Sequence, residues 1–108
     1  MTAIDPDELQ EVLHALQRSR TLLDELVVRG VRAAGPAEHG RLDALREELW
    51  RVGARHLAEQ LGALLEAMRS DDPAATSHVL RAQTSLHLFD RVLTLRVVEV
   101  GLSAEAAG

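Results

Sequence analysis

The chain has no cysteine, lysine, asparagine or tyrosine, and a single tryptophan, phenylalanine and isoleucine among 108 residues. Without cysteine it forms no disulfide, no thiolate metal site and no cysteine nucleophile. No apolar run approaches the roughly 20 residues that span a bilayer. The N-terminus has neither the basic patch nor the apolar segment of a secretory signal, so a cytoplasmic location is expected. Basic residues are outnumbered too. Twelve Arg against seventeen Asp and Glu give a net charge of −5, which argues against nucleic acid or an anionic membrane as partner. The bias to Arg and Leu reads as that of a GC-rich bacterial gene.

Proline is equally scarce, and its placement is informative. Pro6 follows Asp5, Pro36 follows Gly35 and Pro73 follows Asp72, each ahead of apolar residues at helical spacing. Proline suits the first position of a helix, where its missing N–H would have no partner. The expected fold is all-α: a single domain over 1–108, an antiparallel bundle of three long helices at about 6–33, 37–69 and 73–100. A short disordered C-terminal tail comes after them, and oligomerisation completes the bundle.

The first helix has Asp5 as N-cap, Glu8 three residues later, and Ile4 and Leu9 placed as a hydrophobic staple. Its stripe is Leu9, Val12, Leu13, Leu16, Leu23, Leu26, Val27 and Val31, interrupted at Ser19 and Arg20, and Gly30 or Gly35 ends it. The second carries Leu42, Leu45, Leu49 and Val52, then Trp50, Leu57, Leu61, Leu64 and Met68 on a rotated face. Gly53 at the changeover reads as close packing or a mild kink. The third, capped by Asp72, lines up Val79, Ala82, Leu86, Phe89, Leu93, Val97 and Val100.

Nearly opposite that last stripe stand Leu88, Leu95 and Val98, with Val92 between the faces. A helix apolar nearly all round is enclosed by its bundle or covered by another chain. Three helices cannot enclose one of their own members, so Leu88, Val92, Leu95 and Val98 are the candidate interaction surface. The expected partner is protein, most simply a second copy in a dimer or larger assembly.

Candidate chemistry is sparse. Glu11 and His14 have the Glu-x-x-His spacing of di-iron bundles but lie opposite the core stripe, as a solvated face does. His56 and Glu59 lie one turn apart with no third ligand, and His39 sits in a connector beside Gly40. No nucleophilic triad, phosphate-binding glycine loop or zinc spacing can be assembled. No cofactor, metal or catalytic residue is expected.

Two segments resemble known families. His78-Val79-Leu80-Arg81-Ala82, behind Asp71-Asp72, resembles the phosphohistidine motif of histidine-containing phosphotransfer domains, with Ala82 where that family has glycine. The resemblance implies His78 as phosphoacceptor and Arg81 as the cation that steadies the phosphoryl group. Residues 72–98, with Asp72-Pro73, Val79-Leu80, Ala82-Gln83 and Phe89, resemble the C-terminal helix of type III secretion inner-rod and flagellar rod-junction proteins. Those polymerise through that helix. The residues themselves point to a small non-catalytic helical adaptor, scaffold or assembly subunit. Phosphotransfer and a rod-like export component are the alternatives that the two resemblances imply.

Overall fold

The computed structural model describes residues 6–107, with side chains described except at 97 and 100–107. It is all-helical, with four packed helices rather than three: α1 (Pro6–Arg29), α2 (Pro36–Arg51), α3 (Arg55–Arg69) and α4 (Ala75–Ala107). A 3₁₀ turn, Val31–Ala33, succeeds α1. The expected cap at Asp5 and the staple from Ile4 lie outside the described residues.

The second expected helix, 37–69, is two helices, and Gly53 is the reason. Gly53 has φ 91°, a left-handed conformation that favours glycine. Its N–H donates to the Trp50 carbonyl at 3.2 Å and the Ala54 N–H to the Leu49 carbonyl at 2.9 Å. Those two bonds make a Schellman stop, which satisfies the last carbonyls of α2 and turns the chain back. The reversal is sharp enough to set Gly62 of α3 beside the Arg46 side chain of α2.

The other junctions obey the same physics. α1 stops at Arg29 rather than near 33, because Gly30 takes φ 88° while its N–H bonds the Leu26 carbonyl. Pro36 opens α2 as expected, and the Glu38 carboxylate accepts the Gly35 N–H at 2.9 Å. Gly35 has no side chain to return that bond, so the cap is one-sided. At the end of α3, Asp71 takes φ 52° and its N–H bonds the Met68 carbonyl, while the Asp72 N–H bonds the Ala67 carbonyl. This is a second Schellman stop, made without glycine. Asp72 then caps the turn that leads into α4, its Oδ1 accepting the Ala74 N–H at 2.9 Å. α4 begins at Ala75 rather than 73, after this capped turn, and runs through Gly101 to Ala107 in place of the expected disordered tail.

Each helix packs against its neighbours in sequence, and α4 closes the ring on α1. The pairs Arg18–Glu48, Arg41–Glu25 (2.9 Å) and Arg29–Glu38 (3.3 Å) run antiparallel along α1 and α2. Arg20–Asp90 (2.9 Å) and Asp24–Gln83 (3.1 Å) do the same for α1 and α4. The result is an up-down-up-down bundle. At 1.5 Å per residue α2 and α3 are about 22–24 Å long, α1 about 36 Å and α4 about 50 Å. By these lengths the far part of α4 outruns the α2–α3 hairpin.

The core is leucine-rich: Leu16, Leu22, Leu23, Leu42, Leu49, Leu61, Leu64 and Leu86 are buried, with Val79 and Ala82 from α4. Each such leucine is worth about 1.5–3 kcal/mol. Ser19, expected to interrupt the stripe, is inside it, its hydroxyl donating to the Ala15 carbonyl at 2.7 Å. Three expected core residues are not. Val27 is 49% exposed, Phe89 lies at the boundary with 37%, and Trp50 is 51% exposed under the Arg55 guanidinium, 5.2 Å from its ring centre. Leu42, Leu45 and Leu49 hold the inner side of α2, and Trp50 lies 100° further round. The expected alignment of Trp50 with Leu57 and Leu61 needed an unbroken helix, and Gly53 removes it.

Candidate interaction surface

The outer face of α4 is the one extended apolar feature among the described residues. Leu88 (57%), Val92 (59%), Leu95 (61%) and Val98 (51%) are all on the surface, while Leu86 and Leu93 of the same helix are buried. The division comes from helical geometry. Val79, Ala82, Leu86 and Leu93 recur at three- and four-residue steps and take the side toward α1 and α3. The other four project from the reverse side. Leu80, 54% exposed, belongs to the same face. It is absent from the surface expected above, although its distance of 18 residues from Val98, five helical turns, places it on that face.

Polar residues border the strip. Arg81, Arg91, Arg96 and Glu99 are exposed along it, with no ion pair to any of the four among the described residues. Asp90, by contrast, is engaged by Arg20 across the α1–α4 contact.

The residues singled out for chemistry stay apart. His78 is half-buried in the first turn of α4, and Arg81 is exposed one turn later. Glu11 and His14 are exposed on α1; the His14 ring meets Gln10 at 3.4 Å, and its carbonyl accepts from Arg18 at 3.4 Å. His56 and Glu59 are exposed on α3, and His39 belongs to the first turns of α2 rather than to a connector. No group of three His, Asp or Glu side chains that would hold a metal ion occurs among the described residues. A depression of about 180 Å³ between α1 and α4 is lined by Arg20, Asp24, Gln83, Leu86 and His87. Three of its polar side chains are already bonded across the groove, Asp24 to Gln83 and Arg20 to Asp90.

One carboxylate is clearly perturbed. Glu38 is held below its ordinary value of 4.5, chiefly by the Gly35 N–H, then by its own N–H, with Arg29 and Arg41 adding attraction. This is the chemistry of a helix start, not of a reaction centre.

No helix among the described residues is long and apolar enough to cross a membrane. Compared with protein-family models, curated proteins and solved structures, the chain matches none. The geometry of α4 therefore carries the functional reading by itself.

Proposed function

We propose that this chain is a small, non-catalytic assembly subunit of the bacterial cytoplasm, and that the outer face of α4 is its working surface. The supporting observation is the row of Leu88, Val92, Leu95 and Val98, each at least half exposed on one helix. Scattered apolar side chains are normal on a protein surface, but a continuous strip is a site to be covered. The cover proposed is a second copy of the chain, which brings an identical strip and closes a two-fold dimer.

Sizing chromatography with light scattering at micromolar concentration tests this. Wild-type protein is expected as a dimer or larger species, and Leu88→Glu with Leu95→Glu as a folded monomer with unchanged circular dichroism. A wild-type chain that stays monomeric across the micromolar range contradicts the reading.

A further inference from the structure

The charges beside the apolar strip have a symmetry that selects one way of pairing two copies. Taking Leu95 as the middle of the face and 100° per residue, Arg81 and Glu99 both lie about 40° to one side. Leu80 and Val98 both lie about 60° to the other. Each of these pairs is 18 residues apart, close to 27 Å along the helix. Leu88 and Val92 straddle the midpoint between them. All six side chains are exposed.

A two-fold axis perpendicular to the helix exchanges the two ends of the strip and keeps each flank on its own side. Placed near residue 90, it sets Arg81 of one copy against Glu99 of the other, twice. The same axis sets Leu88 against Val92 and Leu80 against Val98, again twice. In these three pairings apolar meets apolar and cation meets anion. A parallel pair, by contrast, keeps Arg81 and Glu99 of the two chains about five turns apart and offers neither a partner.

We infer that two copies associate back to back through α4 in antiparallel register, with paired Arg81–Glu99 contacts at both ends of the seam. This rests on the self-assembly reading above and adds its orientation. The area is adequate. Leu80, Leu88, Val92, Leu95 and Val98, all at half exposure or more, present roughly 450–500 Å² per copy, or about 900–1,000 Å² for two faces. Flanking side chains bring this into the range of about 1,200 Å² where specific interfaces begin. The axis also draws Arg91 of each copy toward its mate, so Arg91 opposes association in this register.

Because the chain has no native cysteine, single thiols report the pairing directly. Leu80→Cys and Val98→Cys proteins, distinguishable by mass, are mixed and oxidised. The antiparallel seam gives the mixed 80–98 disulfide, whereas 80–80 and 98–98 products from an intact dimer overturn the orientation and leave self-assembly standing. Charge reversal checks the register without cross-linking. Arg81→Glu and Glu99→Arg each weaken the homodimer roughly tenfold, and their mixture recovers affinity as a heterodimer with both pairs restored. Arg91→Ala tightens association. A mixture that binds no better than either parent overturns the Arg81–Glu99 pairing. Wild-type protein that remains monomeric at every concentration overturns the self-assembly reading itself, an outcome distinct from the other two.

Discussion

Replacing Gly53 with alanine tests the four-helix architecture through the sign of its effect. Gly53 has φ 91°, and a Cβ built there meets nothing within 4 Å. Steric overlap with other groups is absent, so the whole effect comes from the local backbone. An L-residue in left-handed geometry loses about 1–2 kcal/mol relative to glycine. Against this stands the smaller conformational entropy of an unfolded alanine, about 0.4–1 kcal/mol in the other direction. A net loss on the order of 1 kcal/mol is expected, or about 4–8 °C in Tm for a chain near this size. Gly40→Ala is the internal control. Gly40 is exposed inside α2 and has equally open surroundings, so alanine there is expected to stabilise by about 0.5–1 kcal/mol through helix propensity alone. Urea unfolding, with the m-value checked for constancy, reads both. If Gly53→Ala stabilised as Gly40→Ala does, residues 36–69 would be one continuous helix, and the hairpin with everything built on it would be refuted.

Other outcomes rest on single contacts. Trp50 emission is expected near the hydrated maximum in the native protein, with Trp50→Ala losing no more than about 1 kcal/mol, the scale of an exposed cation–π contact; a strongly blue-shifted native spectrum would contradict its surface placement. Leu61→Ala, at a fully buried site, is expected to lose about 2–5 kcal/mol in the same unfolding assay. Asp71→Gly is expected to gain up to about 1 kcal/mol in that assay, since φ 52° suits glycine better than aspartate. The lowered pKa of Glu38 adds stability that is complete above the unfolded carboxylate value and lost as pH falls through the lower folded value. Glu38→Gln should therefore flatten the acid limb of the stability–pH curve, and an unchanged limb would count against the cap. Acetyl phosphate is expected to leave His78 unmodified, as mass spectrometry would report.

Where α1 and α2 begin was legible in the chain, because proline acts locally, whereas the start of α3 at Arg55 depends on the turn at Gly53. Pro6 and Pro36 open their helices for reasons contained in a few residues, and Asp72 caps the turn ahead of α4, which starts three residues later at Ala75. Helix ends were harder. Gly30 and Gly53 were both noticed, but a glycine on an apolar stripe has the same sequence appearance whether it packs or reverses the chain. The Leu49–Ala54 hydrogen bond that distinguishes the two exists only after the turn forms. Asp71 was harder still, since it occupies a glycine position. The misplacement of Trp50 came from the missed turn at Gly53, because helical phase carries no information across a reversal. The outer face of α4 was legible for the opposite reason: α4 is unbroken, so 100° per residue carries through from Val79 to Val98. What the sequence reading lacked there was Leu80 and the flanking role of Arg81, which appear only when the strip is measured from its centre.

The proposed cover of the strip on α4 is a second copy of the same chain. Sedimentation equilibrium over the micromolar range, on wild-type protein beside Leu88→Glu with Leu95→Glu, tests it most directly. Wild-type protein is expected at twice the single-chain mass or more, and the variant at single-chain mass with its helix content retained. Wild-type protein of single-chain mass throughout would contradict it.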